Sequence, residues 1–272
     1  VRSFGFRGEA LSAICSVSRL ELTTATADGL GVSVRAAGGA MEAVADESRR
    51  RGTTVTVGQL FYNTPARQKF LRGVRSEWRA TSDVLVSVAL ARRDLRLRVT
   101  TDGKEAMSLP PARSLRDRAA GLWGAGFVAR FVDVDAVSGP IRVFGIAERP
   151  SEVGTASRRT ALIVNGRAIR DHGLVRAAES AYRTAVTPGL RPSFVLELVL
   201  PGEAVDVNVH PTKAEVRFQD RYEVERAVER AVRRALGVLD SAALMGASPR
   251  IWHAPSAALG DATLATVPQS AR

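Results

Sequence analysis

The sequence predicts an α/β (or α+β) protein that consists of two domains and a tail. Stretches that alternate apolar and polar residues are interleaved with stretches of helical periodicity in both halves of the chain. This arrangement favours helices layered on sheets over an all-helical bundle or an all-β sandwich. The run Leu109-Pro110-Pro111 is the clearest internal break. We therefore expect domains at 1–110 and 111–237. A linker or disordered tail is expected at 238–272, which is rich in Ala, Ser and Pro and has no usable period.

The first domain is expected to open with a short helix at 8–16 and to continue with strands. The alternating stretches that predict these strands lie at 18–26, 31–36 and 53–61. The tripeptide Asn63-Thr64-Pro65 predicts a helix start, because a capping side chain precedes a proline that fits the first turn. A helix is expected at 76–92. The alternating stretch 94–104 then predicts a strand with a turn at Asp102-Gly103.

The second domain repeats this alternation of strands and helices. Its expected helices lie at 113–123, 168–186 and 220–236. Its expected strands lie near 127–134, 140–147, 161–165, 193–200, 205–209 and 214–218. The dipeptide Asn165-Gly166 is predicted to end one of these strands in a turn that leads into the helix at 168–186.

Composition excludes several classes of protein. Among 272 residues, 45% are hydrophobic and 25% charged, which excludes wholesale disorder. No run of 18 apolar residues predicts a membrane span, and the first residues lack the apolar core of a secretion signal. Cys15 is the sole cysteine, which excludes a disulfide framework and a Cys-based structural zinc site. The chain starts at Val1 and not at a methionine, and a motif already begins at Gly5. We therefore expect it to be a piece of a longer protein.

The net charge of +11 favours anionic partners, nucleic acid first. Of the 39 basic residues, however, only Lys69, Lys104 and Lys213 are lysines, and the other 36 are arginines. A GC-rich coding sequence produces such an arginine bias without selection for binding. Two explanations of the charge, a nucleic-acid footprint and a compositional bias, therefore fit the sequence.

Two glycine-containing segments are candidates for nucleotide binding. In Gly5-Phe6-Arg7-Gly8-Glu9-Ala10-Leu11, the glycines let the backbone approach a ligand, and the second opens a helix whose free N–H groups suit a phosphate. The same pattern also fits an ordinary turn into a helix. Gly52-Thr53 at a strand start can place a hydroxyl near a nucleotide, or can simply reflect the β-propensity of threonine.

A loop between two short strands carries the third candidate, Lys213. The pair His210-Pro211 forces the loop, because the residue before proline avoids the helical region. A lysine kept at the loop tip, in a chain that otherwise uses arginine, suggests that a compact point charge is needed there. A solvated loop lysine is the alternative. No second metal ligand lies at suitable spacing from His210, so we interpret that histidine as structural and expect no metal site in this chain.

Basic residues recur at two helix starts and can contact nucleic-acid phosphates. The first set follows the Asn165-Gly166 turn and consists of Arg167, Arg170, Arg176 and Arg183. The second set follows Pro65 and consists of Arg67, Lys69, Arg72, Arg75 and Arg79. The alternative for either set is a solvated basic face.

Taken together and in this order, four segments resemble the N-terminal ATPase region of the MutL family of DNA mismatch repair proteins. They are GFRGEALSAICSVSRL, GTTVTVGQLFYNTPARQKFL, LIVNGRAIRD and VDVNVHPTKAEVRF. The strings GFRGEAL and NTPAR are especially characteristic of the family, and the resemblance covers residues 1 to about 237. It implies the C-terminal part of a GHKL-type ATPase sandwich, the fold of gyrase B, Hsp90 and histidine kinases. A domain similar to domain 2 of ribosomal protein S5 would follow.

The resemblance also implies roles for individual residues. Gly5 to Leu11 would be the end of the ATP lid, whose backbone N–H groups around Gly8 face the phosphates. Thr53 would be the threonine of the nucleotide pocket. Lys213 would be the lysine that the second domain sends to the γ-phosphate, where a positive charge stabilises the charge that develops in phosphoryl transfer. Arg167, Arg170, His172 and Arg176 would line the DNA groove.

This sequence departs from the family pattern in two respects. The family's catalytic glutamate, its Mg²⁺-binding asparagine and its Asp-x-Gly-x-Gly adenine motif lie upstream of the lid and would precede Val1. We therefore expect that this chain alone binds ATP and Mg²⁺ poorly and does not hydrolyse ATP. The family often has an arginine near position 172, so His172 is expected to weaken the DNA contact there.

The resemblance predicts an ATP-gated DNA clamp that couples mismatch recognition to strand incision. Its expected partners are double-stranded and single-stranded DNA, the mismatch-recognition protein MutS and, in the full-length protein, a second copy of itself; no membrane is expected. The expected location is the bacterial cytoplasm, at the nucleoid. The alternative is a standalone nucleic-acid-binding remnant with a vestigial ATP site. The ATPase subunit of a type II topoisomerase is disfavoured by the strings NTPAR and VNVHPTKAEVRF.

Overall fold

An antiparallel four-stranded sheet forms the first part of the structure. The computed structural model describes residues 9–27, 29–155, 158–206 and 216–244, with side chains up to residue 237. A short helix, α1 (Ala10–Cys15), precedes the sheet. The strands are β1 (Arg19–Ala25), β2 (Leu30–Ala37), β3 (Ala40–Ser48) and β4 (Gly52–Gly58), in the order β3-β2-β1-β4.

Strand β3 was not predicted from the sequence. Its residues are mainly Ala, Glu and Asp, which have low β-propensity, and it is exposed along its whole length. It forms because its backbone completes a ladder with β2 at the edge of the sheet. Backbone pairing with β2, and not the β-propensity of its side chains, therefore makes this segment a strand.

Helices and a hairpin connect the two sheets. They are α2 (Pro65–Gln68), α3 (Val74–Ala91), β5 (Leu97–Thr101) and β6 (Lys104–Leu109). The helix start at Pro65 is confirmed, but the predicted capping side chain is wrong, because Thr64 before the helix makes no side-chain cap hydrogen bond. The turn at Asp102-Gly103 is also confirmed: both residues have positive φ, 49° and 74°, as a two-residue hairpin turn of type I′ requires.

A five-stranded sheet organises the second part. Its strands are β7 (Phe131–Ser138), β8 (Ile141–Glu148), β9 (Thr160–Val164), β10 (Arg167–Ile169) and β11 (Phe194–Val199), in the order β10-β9-β11-β8-β7. Only β9 and β11 pair in parallel. The other elements are α4 (Leu115–Trp123), α5 (Ala125–Val128), α6 (His172–Ser180), β12 (Val205–Asp206), β13 (Arg217–Phe218) and α7 (Arg221–Leu244).

Helices cover both faces of this second sheet. On one face, α6 and α7 pack on β11 residues such as Phe194 and Leu196, all of them buried. On the other face, α3 and α4 pack on a cluster that includes Val195. Leu90 and Ala91 of α3 belong to that second cluster, although the predicted boundary at 110 assigns α3 to the first domain. The observed mixture of helices and sheets confirms the α+β prediction, while the position of the boundary stays a prediction.

Two predicted elements were wrong at their ends. The expected helix at 168–186 is shorter, His172–Ser180, because residues 167–169 pair with β9 as a strand. Asn165 and Gly166, with φ of 49° and 75°, therefore close a hairpin and do not lead directly into a helix. The expected helix at 220–236 is longer, because α7 continues to Leu244, past the start at 238 that was expected for the tail. Ala and Leu, frequent in that segment, are strong helix formers.

None of the described helices is both long and apolar enough to cross a membrane. Within the described residues, no group of three or more His, Cys, Asp or Glu side chains is arranged to hold a metal ion.

Candidate functional site

The strand pair β1–β4 brings two threonine hydroxyls together at one end of the first sheet. Thr24 and Thr53 lie directly opposite each other in the antiparallel ladder, and their Oγ1 atoms are 2.8 Å apart. Either hydroxyl can be the donor in this hydrogen bond. A hydroxyl has one proton and two lone pairs, so this pair keeps capacity for a further hydrogen bond. Thr53 is exposed and can offer that capacity to a ligand.

Arg49 holds the backbone beside this pair from the other face of the sheet. Its guanidinium donates to the Thr23 carbonyl at 2.6 Å and to the Thr54 hydroxyl at 3.1 Å, and it also contacts the Thr23 hydroxyl. Thr53 and Thr54 are successive residues of β4, so their side chains point to opposite faces of the sheet. Arg49 contacts the Thr54 hydroxyl and therefore lies on the face opposite Thr53. Arg49 thus positions the end of β1 and β4 without occupying the Thr53 face.

The Thr53 face of the sheet is apolar and open. Val55 and Val57, two and four residues beyond Thr53, are each 44% exposed, and Val44 on the edge strand is 59% exposed. The opposite face is polar, with Arg35 and Glu21 paired at 3.0 Å. An antiparallel sheet with one apolar face normally packs that face against another layer. The described helices leave these three valines uncovered.

The described end of the predicted lid lies in α1. Glu9 is the residue before the helix, and Ala10 and Leu11 are exposed in its first turn. The C-terminal end of α1 is fixed by Gly39, which donates to the Cys15 carbonyl at 3.1 Å. The side chain of Asn63 also donates there, to the carbonyl of Ser16, at 2.9 Å. Gly5, Phe6, Arg7 and Gly8 lie outside the described residues.

The hydrogen bonds that fix α1 lie at the far end of the sheet from Thr53. Arg19 pairs with Gly58 at the α1 end of β1, whereas Thr53 is five residues away along β4. At ~3.4 Å per residue this is roughly 17 Å of strand. No described hydrogen bond joins Glu9, Ala10 or Leu11 to Thr53. The described lid residues are therefore attached, through the C-terminal end of α1, to the end of the first sheet opposite Thr53.

The loop that carries Lys213 also lies outside the described residues, as does His210. Its base is well defined: Val205 pairs with Phe218 and Asp206 with Arg217. Val205 and Phe218 are buried and belong to the main core with α7. Residues 206 and 217, on either side of the segment outside the described residues, are thus held side by side, and the loop between them stays a prediction.

The four residues predicted to contact DNA lie together at the β10–α6 corner. Arg167 is in β10, Arg170 follows that strand, and His172 and Arg176 lie on α6. His172 and Arg176 are four residues apart and therefore share one helix face. Arg170, His172 and Arg176 are all exposed, whereas Arg167 is half-buried.

A capped helix start fixes this corner. The carboxylate of Asp171 accepts hydrogen bonds from the backbone N–H groups of Gly173 and Leu174, at 2.8 and 2.9 Å. Arg221 of α7 donates to the same Asp171 oxygen at 2.8 Å. Burial alone would lower the pKa of Arg221, but the carboxylates of Asp171 and Glu225 raise it above its ordinary value. Asp171 is thus already paired with Arg221, and Arg170 and Arg176 beside it are exposed.

Comparison with protein families and sequences points to one group of proteins. Residues 119–237 match a family model described as DNA mismatch repair protein, C-terminal domain. The chain is 57% identical, over 94% of its length, to the DNA mismatch repair protein MutL of Gemmatimonas aurantiaca, of which it covers 42%. It is 41% identical, over 82% of its length, to the MutL of Anaeromyxobacter sp., of which it covers 37%. The chain thus spans about two fifths of the length of these curated relatives.

Solved structures give the same result for the fold. The crystal structure of the N-terminal domain of a DNA repair protein is similar with a TM-score of 0.77 at 26% identity, covering 89% of this chain and 79% of that one. The ATPase domain of MutL from Aquifex aeolicus, a bacterial mismatch repair endonuclease, is similar with a TM-score of 0.60 at 18% identity. That match covers 86% of this chain and 83% of the other, and at such identity it shows the fold.

Proposed function

We propose, on the premise that this chain belongs to the MutL family of DNA mismatch repair proteins, that it forms part of an ATP-hydrolysing DNA clamp. The clamp would couple mismatch recognition to strand incision. The observation that carries the nucleotide part of this proposal is the open apolar sheet face that ends in the Thr24–Thr53 hydroxyl pair. A layer packed on Val55 and Val57 would leave a polar pocket at the Thr53 end of the sheet.

In this proposal, residues of this chain bind the phosphates and the ribose hydroxyls of ATP, and ATP supplies the phosphoryl group that is transferred to water. The Thr53 hydroxyl would donate to or accept from the nucleotide, and backbone N–H groups from Gly5 to Leu11 would face the phosphates. Lys213 would contact the γ-phosphate and stabilise its developing charge. The described residues fit part of this role, since Thr53 is exposed and its hydroxyl has capacity for a further hydrogen bond. Ligands for Mg²⁺ would come from other parts of the full-length protein.

The test compares ATP turnover by the 272-residue chain and by the full-length protein. We expect the chain alone to release no phosphate above buffer and the full-length protein to hydrolyse ATP in the presence of Mg²⁺. In the full-length protein, Thr53→Val should weaken nucleotide binding, whereas Thr56→Val, on the opposite face of the same strand, should not. Equal effects of the two substitutions would contradict the assignment of Thr53.

Lys213 is tested separately in the full-length protein. Lys213→Ala should lower turnover roughly 10²- to 10³-fold, the usual effect of removing one transition-state contact. ADP affinity should change little, because ADP has no γ-phosphate. Lys213→Arg should restore turnover only in part, because a planar guanidinium does not reproduce a compact ammonium group. Parallel loss of ADP affinity and turnover would mean that Lys213 is structural.

The DNA part of the proposal rests on the β10–α6 corner. Arg167, Arg170, His172 and Arg176 would contact phosphates of double-stranded or single-stranded DNA, without reading sequence. The protein would act in the bacterial cytoplasm, at the nucleoid, as a homodimer that receives the mismatch signal from MutS. A protein that binds DNA but shows no ATP turnover at full length would support the remnant alternative instead.

A further inference from the structure

A cleft of about 300 Å³ lies between α3 and the β9–β10 edge of the second sheet, next to the proposed DNA corner. This volume is at the small end of the range of ligand pockets, roughly 300–1,000 Å³. Arg170, one of the four predicted DNA contacts, lines it. The other lining residues that matter here are Asp83 of α3, Trp123 of α4 and Arg159, just before β9.

Arg159 is held in place by aromatic rings. Its guanidinium carbon lies 5.3 Å from the centre of the Trp123 ring and 5.9 Å from that of Phe127. Trp123 and Phe127 themselves pack edge to face, with ring centres 5.6 Å apart. Arg159 is exposed, and within the described chain it forms no salt bridge. A guanidinium fixed in this way offers a flat stacking surface together with N–H donors at its edge.

A second arginine without an acidic partner lies close to Arg159. Ile169 pairs with Leu162 across the β9–β10 ladder, which places Arg170 beside Ala161, two residues from Arg159. Two residues of strand correspond to roughly 7 Å. Arg170, like Arg159, forms no salt bridge with any described residue. The neighbouring Arg158 differs, because its charge is already paired with Glu179.

The opposite wall of the cleft carries a carboxylate. Asp83 is exposed on α3 and, within the described residues, forms no salt bridge with its side chain. A carboxylate repels a phosphate, so a bound anion has to lie near Arg159 and Arg170. At the same time, Asp83 can accept a hydrogen bond from an exocyclic amino group, as carboxylates do from the N4 amino group of cytosine.

We propose that this cleft binds one nucleotide of single-stranded DNA and prefers a base that carries an amino group. The base stacks on the Arg159 guanidinium and donates its amino N–H to Asp83. The adjoining phosphate is bound by Arg170 and by the edge of Arg159. This proposal rests on the DNA-binding role proposed above and adds to it a preference of cytosine over thymine, which has no exocyclic amino group.

The experiment measures binding of the complete 272-residue chain to labelled oligonucleotides of cytosine only and of thymine only, at one low salt concentration. The cytosine oligonucleotide should bind more tightly, by roughly fivefold or more. Asp83→Ala should bring the ratio of the two affinities to about one. It also removes a negative charge and should therefore raise the affinity for both oligonucleotides. Glu47→Ala makes the same charge change on the exposed strand β3 and should preserve the ratio.

Arg159→Gln tests the stacking surface against its own control. It should weaken binding of the cytosine oligonucleotide by roughly fivefold or more. Arg51→Gln removes the same charge at an exposed position just before β4 and should have a much smaller effect. Melting temperatures of the variants verify that each is folded.

The outcomes separate this proposal from the DNA-binding role itself. Binding of both oligonucleotides without preference, or equal losses in Arg159→Gln and Arg51→Gln, overturns the cleft proposal and leaves general DNA binding in place. Persistence of the cytosine preference in Asp83→Ala also overturns it. A chain that binds neither single-stranded nor duplex DNA overturns both proposals.

Discussion

Arg93 donates a hydrogen bond of 2.5 Å to the carboxylate of Glu197, which lies on the central strand β11 of the second sheet. The Glu197 side chain is only 7% exposed, and that of Arg93 is 24% exposed. Arg93 follows α3 almost directly, and its guanidinium also lies 5.9 Å from the centre of the Phe144 ring. The pair therefore ties the end of α3 to the centre of the second sheet.

Removing one partner of this ion pair should be far more damaging than removing both. Arg93→Met leaves the Glu197 carboxylate buried without a counter-charge and should lower the free energy of unfolding by ~3–5 kcal/mol. The double variant Arg93→Met/Glu197→Met should recover most of this loss, because well-packed apolar residues can replace a buried ion pair. Urea unfolding of the single and double variants measures both values. A double variant as unstable as the single one would show that the pair has no such coupling.

Tyr182 predicts how stability depends on alkaline pH. Burial, with a smaller contribution from the Glu148 charge, raises the pKa of Tyr182 well above its ordinary value. Its hydroxyl donates to the Glu148 carbonyl at 2.7 Å. In the unfolded chain this phenol ionises near pH 10, whereas in the folded chain it stays protonated. The stabilisation is therefore complete below about pH 10 and is lost as the pH rises above that value, by ~1.4 kcal/mol per pH unit.

The Tyr182→Phe variant isolates this effect. Near pH 8 it should be less stable than the parent chain by ~0.5–1.5 kcal/mol, because the hydrogen bond to Glu148 is lost. It lacks the ionising phenol, so the difference should shrink above pH 10 and vanish by about pH 11. Urea unfolding at intervals from pH 8 to pH 11 would measure the difference. A constant difference over this range would mean that Tyr182 ionises with equal ease in both states.

Gly145 should tolerate no side chain. Its φ is +145°, and a Cβ atom built there would lie 2.0 Å from the carbonyl oxygen of Val195 on the neighbouring strand. Since a backbone atom is in the way, Gly145→Ala should lower the free energy of unfolding by roughly 3 kcal/mol or more. Gly126→Ala is the control, because a Cβ atom there meets nothing within 4 Å and alanine favours helix α5. Comparable stability losses in the two variants would contradict this explanation.

Local patterns predicted those elements whose structure is decided locally. The Asp102-Gly103 turn and the helix start at Pro65 follow from backbone preferences of the residues themselves, and both are confirmed. Strand β3 and strand β10 could not be predicted in this way. Each is a short or weakly apolar segment that becomes a strand only because β2 or β9 offers it a ladder. The neighbouring strand, and not the sequence of the segment itself, determines that each of them is a strand.

For the candidate sites, the sequence predicted the residues proposed to contact ligands better than the residues that hold them in position. Thr53 and the β10–α6 basic residues came from motifs, and their roles stay predictions. Arg49 was missed, although three consecutive arginines at 49–51, directly before Gly52, were a visible signal. No sequence signal marks Arg159 and Asp83, because they belong to different parts of the chain. They line the same cleft only when α3 packs on the second sheet. The same holds for Arg93 and Glu197, which are 104 residues apart.

The salt dependence of DNA binding decides between the two explanations of the net charge of +11. If the charge is a binding footprint, the logarithm of duplex affinity should fall linearly with the logarithm of salt concentration, by ~0.9 for each phosphate contacted. Arg170→Glu should weaken binding and reduce this slope by about one, because Arg170 is exposed at the β10–α6 corner. Arg98→Glu makes the same charge change on the β5–β6 hairpin, where Arg98 is already paired with Glu105 at 2.7 Å, and should change the slope little. Fluorescence anisotropy over a series of salt concentrations measures both slopes. Affinity that barely responds to salt, or equal slopes for the two variants, would mean that the arginine excess is compositional and that the corner is a solvated surface.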